Sequence, residues 1–184
     1  MVKAVIFDID GTIIDSVGAH IDAWKRTFAH FGKQVSDEEI RRHIGEGSDD
    51  MLPVFFSAAE LHCFRPELER YRGELFKREY LPSLKAFPKV RELFERIKYD
   101  GKKIALASTA QAEEINIYKE MAGISDLVDC SVCAEEVAES KPHGDICGAA
   151  LRKLGKLSPA KVISIGDTKY DAEAAARNNV CTIG

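Results

Sequence analysis

Asp8 and Asp10 stand two residues apart, behind a run of strand formers (Val5, Ile6 and Phe7) and ahead of Gly11. Side chains alternate faces along a strand, so residues two apart share a face and these carboxylates are neighbours. Two close like charges are costly unless a cation offsets them or one carries a proton. Either solution is useful: a cation neutralises a bound phosphate, and a protonated carboxyl is a general acid. Gly11 lets the backbone turn tightly and approach a ligand closely. Buried parallel strands read as continuous apolar runs, and ligands of such sheets sit just beyond the strand carboxyl ends. The pair also has a plain reading, as solvated acids at a strand-to-loop junction.

Three further segments carry matching chemistry. Ser108-Thr109-Ala110 follows the apolar run Ile104–Ala107 and leads into a helical pattern. A hydroxyl beside free N–H groups at a helix start cradles an anion, or simply caps the helix. Lys141-Pro142-His143-Gly144-Asp145 comes next; Pro142 biases Lys141 towards an extended backbone, and Asp145 reads as a helix N-cap. Gly166-Asp167 and Asp171 follow the run Val162–Ile165. Asp167 sits directly past that strand and Asp171 one helical turn later, so both can face one point. Hard divalent cations of the magnesium type take carboxylate oxygens. Asp8, Asp167 and a backbone carbonyl can supply such a site, with Asp171 behind them, unless Asp171 only caps the last helix.

The elements that must position these residues are legible in the pattern. Ile21, Trp24, Phe28 and Phe31 follow helical spacing from a start at Asp15 or Ser16 to a stop at Gly32. Ser36 with Glu39 is a capping box for a second helix through Ile44. A third helix starts at Ser48 or Asp49, with Pro53 near its first turn, and Pro66 opens a long fourth one. From Pro82 the pattern changes. Helices over 90–101, 112–123, 145–154 and 170–178 alternate with strands over 103–107, 128–133, 162–165 and 180–183. That alternation implies a parallel sheet with helices on both faces, interrupted after its first strand by an all-helical module.

Composition narrows the class. The chain has 184 residues, 45% of them hydrophobic, enough for one domain plus an insertion. A formal net charge of −4 with mixed signs and no basic stripe argues against nucleic acid. There is no signal-peptide pattern and no apolar run of membrane-spanning length. Five scattered cysteines fit a reducing, cytoplasmic setting. Cys130 and Cys133 lack the second ligand pair that zinc would want, and read as ordinary strand residues.

Taken together, Asp8-Ile9-Asp10-Gly11-Thr12, Ser108-Thr109, Lys141-Pro142 and Gly166-Asp167 with Asp171 resemble the four motifs of the haloacid dehalogenase-like hydrolase superfamily. The resemblance points to the phosphoglycolate phosphatase and beta-phosphoglucomutase-like branch with a helical cap. It implies an α/β fold: a Rossmann-like three-layer core of residues 1–15 and 82–184, with a cap of residues 16–81 inserted after the first strand. It implies that Asp8 is the nucleophile taking the phosphoryl group, and that Asp10 protonates the leaving oxygen and then activates water. Ser108 and Thr109 would hold phosphate oxygens, Lys141 would neutralise charge, and Asp8, Asp10, Asp167 and Asp171 would form the magnesium site. Thr12, His20, Gly47 and Ser48 are the candidate substrate contacts.

The activity this implies is magnesium-dependent hydrolysis of a small phosphorylated metabolite by a monomer or weak dimer. A sugar-phosphate mutase and a non-catalytic binding module are the alternatives. A dehalogenase is disfavoured, because halide displacement needs no proton donor at Asp10. Three departures stand out. Gln111 replaces a lysine of the mutases, Gly144 replaces a frequent proline, and the last strand ends at Gly184, where similar proteins continue. That edge strand is expected to lie uncovered.

Overall fold

The computed structural model describes residues 1–155 and 157–184. Val5, Ile6 and Phe7 form β1 (Ala4–Phe7) with Ala4, buried along its whole length at the centre of a five-stranded sheet. Around it stand β2 (Lys103–Ala107), β3 (Cys130–Val132), β4 (Val162–Ile165) and β5 (Cys181–Ile183). The order is β3-β2-β1-β4-β5, every pair is parallel, and β5 is an edge strand. Phe7 lies opposite Leu106 on one side and Ile165 on the other. The segments beginning at Asp8, Ser108 and Gly166 therefore leave the sheet side by side. The chain works outward from β1 to β3, then returns to the far side of β1 for β4 and β5. Such a reversal opens a crevice beyond the strand ends.

Alternation along the strands divides the core into two layers. Val5, Phe7, Ile104 and Leu106 pack with Phe94 and Ile97 of α5 (Val90–Tyr99) and Ile115 and Tyr118 of α6 (Ala112–Met121). Ala4, Ile6, Ala105 and Ala107 meet Ile146, Cys147 and Ala150 of α7 (Asp145–Lys153) and Ala175 of α8 (Lys169–Ala176). Each large apolar side chain buried this way contributes about 1.5–3 kcal/mol relative to exposure. The four helices α1 (Val17–His30), α2 (Asp37–Arg41), α3 (Ser48–Phe55) and α4 (Ala58–Glu79) form the helical cap. They bury a core of their own, built on Trp24, Phe28, Ile40, Leu52 and Leu68.

Some boundaries depart from the sequence expectation. The long helix starts at Ala58, not Pro66, because Ser57 and Glu60 make a capping box two turns earlier. Pro66 lies inside α4, and Pro53 inside α3 beyond its first turn. The second helix does carry the Ser36–Glu39 box, but stops at Arg41. Asp145 is not the N-cap of α7: that place falls to Gly144, and Asp145 Oδ2 instead accepts from the Glu139 N–H at 3.3 Å.

The two connections between cap and core pair with each other. Ile14 bridges Ala86, the Asp15 N–H donates to Lys85 C=O at 2.9 Å, and the Phe87 N–H donates to Ile13 C=O at 2.9 Å. Their joint position fixes where the cap sits over the strand ends.

Candidate active site

Lys141 occupies the middle of the crevice. It is 4% exposed, follows β3 by a loop, and precedes a cis peptide to Pro142. Its Nζ donates to Asp8 Oδ1 and, at 2.6 Å, to Asp171 Oδ1. Burial works against the ammonium, but those two carboxylates hold its pKa above the ordinary lysine value. Asp171 caps the last helix, as one of its two readings has it, and also reaches the lysine. Its Oδ2 caps α8, accepting from the Thr168 N–H at 3.1 Å and hydroxyl at 2.7 Å, while Oδ1 faces Lys141.

Asp167 is exposed, and its Oδ1 accepts the Thr12 hydroxyl at 3.2 Å. Gly11 makes that approach possible: its φ is +80°, and a Cβ there would overlap Asp167 Oδ2. Thr12 thus stands against a carboxylate of the acid cluster and is not on the wall of the cavity between cap and core.

Asp8, Asp167 and Asp171 each offer a carboxylate oxygen within 4.8 Å of the others. Burial, with Asp171 and Asp10 close by, pushes Asp8 up to about 8 against the pull of Lys141. Burial and Asp171 likewise raise Asp167. Three crowded carboxylates sharing one lysine are what a hard divalent cation relieves, and an all-oxygen donor set suits magnesium. The residues fit such an ion.

Asp10 has different company. Its Oδ1 accepts the Ser16 hydroxyl at 2.7 Å and His20 Nε2 at 2.8 Å. Ser16 is the N-cap residue of α1, but its hydroxyl is spent on Asp10 rather than on a helix N–H. On the far side of the ring, Arg72 Nη2 lies 2.5 Å from His20 Nδ1. A guanidinium only donates, so Nδ1 must accept and the ring proton sits on Nε2, facing Asp10. Burial opposes the charge on Asp10, while the hydrogen bonds from His20 and Ser16 and the Arg72 guanidinium beyond the ring hold the carboxyl below its ordinary value. The Arg72 guanidinium lies over the rings of Trp24 at 5.1 Å and Phe76 at 4.7 Å.

Ser108 is 1% exposed, and its hydroxyl accepts from the Ala110 N–H at 3.1 Å. It does not cap α6; Gln111 and Glu114 do that. Between cap and core lies a cavity of about 620 Å³. Asp8, Asp10, Thr109 and Lys141 face it from the core, and His20, Gly47 and Ser48 from the cap. Ser48 also donates to Glu69 at 2.9 Å.

Arg70, Arg72 and Lys77 on α4 line the same cavity, and the apolar periodicity of that helix does not single them out. Helical spacing was the available signal, since Arg72 lies one turn before Phe76. Cys130 and Cys133 are free thiols, and burial with nearby Glu135 and Glu136 pushes Cys133 up to about 11.

Comparison with known proteins agrees with this arrangement. A phosphorylated carbohydrates phosphatase of Thermotoga maritima is 31% identical over 174 residues, covering 94% of this chain and 80% of that protein. A phosphoglycolate phosphatase of Aquifex aeolicus is 27% identical over 180 residues, covering 95% and 80%. A crystal structure of a hydrolase from Pseudomonas syringae shares the fold, with a TM-score of 0.86 at 24% identity over 99% of this chain and 83% of that one. Residues 5–184 match the haloacid dehalogenase-like hydrolase family, and the chain belongs to it.

Proposed function

We propose that this protein is a magnesium-dependent phosphatase that hydrolyses a small phosphate monoester through a phosphoryl group held on Asp8. The observation that carries this reading is the Lys141 ammonium lodged between Asp8 and Asp171 at the end of the central strand, facing the cavity. The phosphatase names of two relatives support it.

In the first step an Asp8 oxygen bonds to phosphorus as the bond to the leaving oxygen breaks, and Asp10 gives that oxygen a proton. Asp10 rests ionised, and the arriving phosphate anion raises its proton affinity, so it takes up the proton as substrate binds. In the second step Asp10 removes a proton from water, which attacks phosphorus. Inorganic phosphate leaves and Asp8 is restored. Lys141 neutralises charge on nucleophile and phosphate, while Ser108 and the Thr109 N–H hold phosphate oxygens. Such positioning and charge stabilisation is most of what phosphoryl transfer requires. Asp8, the Asp10 carbonyl and Asp167 would hold magnesium, with Asp171 behind them. The ion, when bound, supplies positive charge to the phosphate oxygens.

In this reading residues 16–81 are the cap and residues 1–15 and 82–184 the core, in a cytoplasmic monomer or weak dimer acting on a phosphorylated metabolite. Among the described residues no helix is long and apolar enough to cross a membrane. The test is release of phosphate from an aryl phosphate and from a panel of phosphorylated metabolites, with and without magnesium. Magnesium-dependent release supports the reading. No release from any of them leaves the binding-module alternative.

A further inference from the structure

Two glycines of the segment between α2 and α3 sit unusually close to the core. Gly47 has ordinary backbone angles, φ −72° and ψ 157°, so conformation alone does not ask for glycine there. Space does: a Cβ on Gly47 would overlap the Ser140 Cβ and lie 2.7 Å from its Oγ. That close approach lets the Gly47 N–H donate to the Lys141 carbonyl at 2.9 Å. Gly45, at φ +99°, seats on the other side, where a Cβ would come within 2.7 Å of Thr168 Cγ2. Thr168 is the residue whose hydroxyl and N–H hold Asp171. One short stretch of the cap thus touches both core loops that carry the Lys141–Asp171 pair.

Neighbouring contacts run along the same seam. Tyr170 Oη donates to the Arg42 carbonyl at 2.7 Å, and His143 lies between Asp50 of the cap at 3.6 Å and Glu139 of its own loop at 3.4 Å. These contacts hold the edge of the cap down; among the described residues, it is Gly47 that bonds the carbonyl of the lysine itself.

We infer that Gly47 is a positioning residue: by donating to the Lys141 carbonyl when the cap is seated, it sets the lysine between Asp8 and Asp171. The inference rests on the phosphatase reading for its kinetic consequence. Closure of the cap and assembly of the charge-neutralising group are then one event, so a phosphate bound under an unseated cap meets a misplaced lysine. Misplacement of about 1 Å at a reacting centre can cost on the order of a hundredfold in rate.

The test is a set of substitutions that differ by single atoms at the seam. Gly47→Ala is expected to lower kcat by about tenfold or more, with KM changed less than about threefold and the fold retained. Ser140→Gly removes the Cβ that collides, so Gly47→Ala combined with Ser140→Gly is expected to recover most of the rate. Gly47→Ala combined with Ser140→Ala keeps that Cβ and is expected to stay impaired. Ser140→Gly alone should turn over as the parent does. Seating of the cap is followed without any substrate through acrylamide quenching of Trp24, the single tryptophan, which lines the cavity. Quenching should rise in Gly47→Ala and fall back with Ser140→Gly but not with Ser140→Ala.

A parent protein that releases no phosphate would remove the phosphatase reading, while the quenching series would still decide whether Gly47 seats the cap. Wild-type kcat and quenching in Gly47→Ala would overturn the inference. So would equal impairment of the two double variants.

Discussion

His20 donates through Nε2 to Asp10 Oδ1 at 2.8 Å, and it does so because Arg72 occupies its other nitrogen. A cap helix thereby fixes the tautomer of a ring that steadies a core carboxylate. Arg72→Ala frees the ring, and the carboxylate loses a well-aimed donor. The loss should be felt where a proton must be delivered. Hydrolysis of alkyl phosphates, whose leaving oxygen needs protonation, is expected to slow by about tenfold to a hundredfold. Aryl phosphates, whose leaving groups depart as anions, should change far less. Measuring kcat/KM for the two substrate types in parallel checks this.

The same contacts make Asp10 a source of pH-dependent stability. Its folded pKa lies below the ordinary value of 3.8. A carboxyl depressed by folding stabilises above its unfolded pKa, and that contribution is lost as pH falls through the folded one. Comparison of urea unfolding in the parent and in Asp10→Asn between pH 5 and pH 2 isolates it. The parent's stability relative to the variant should fall across that window. A constant difference would mean that His20 and Ser16 do not hold the charge.

Asp167 and Asp171 differ in how their oxygens are already used. Both oxygens of Asp171 are engaged, by Lys141 and by Thr168, whereas Asp167 is exposed and its Oδ1 accepts the Thr12 hydroxyl. Asp167→Ala is therefore expected to raise the magnesium concentration needed for half-maximal activity more than Asp171→Ala does. Asp171→Ala should instead lower the melting temperature more, since it strips a buried lysine of a partner and α8 of its cap. Magnesium titrations and thermal melts on both variants distinguish the two roles.

Hydrolysis is expected to outrun phosphoryl return to a sugar. Gln111 stands uncharged on the cavity wall, and Glu46 and Asp49 line it from the cap, so a bisphosphate intermediate meets repulsion there. Arg70, Arg72 and Lys77 line the same cavity and weigh the other way, which makes the measurement informative. With beta-glucose 1-phosphate, a trace of the bisphosphate and magnesium, free phosphate should form faster than glucose 6-phosphate.

Much of this was legible in the sequence because it rests on local pattern. The run before Asp8 could only be a buried strand. Lysine, hydroxyl and acids at strand ends or loops marked one edge of one sheet. The Ser57–Glu60 box is equally local, and the preference of Pro66 for a helix start loses to that earlier cap. Which groups Arg72 meets, and the seating of Gly47, were out of reach for a different reason. They depend on how the cap lies on the core, which is set by packing between segments far apart in the chain. Ser16 illustrates the same limit: a residue type that caps helices bonds a carboxylate six positions back instead.

The central claim is that Asp8 is the group that attacks phosphorus, and Asp8→Asn tests it with almost no change of shape. Phosphate release with saturating magnesium should be compared in the parent and the variant, alongside their thermal unfolding. An amide cannot take the phosphoryl group, so turnover is expected to fall by about a thousandfold or more while the variant stays folded. Release within tenfold of the parent, from a variant that melts as the parent does, would contradict the assignment.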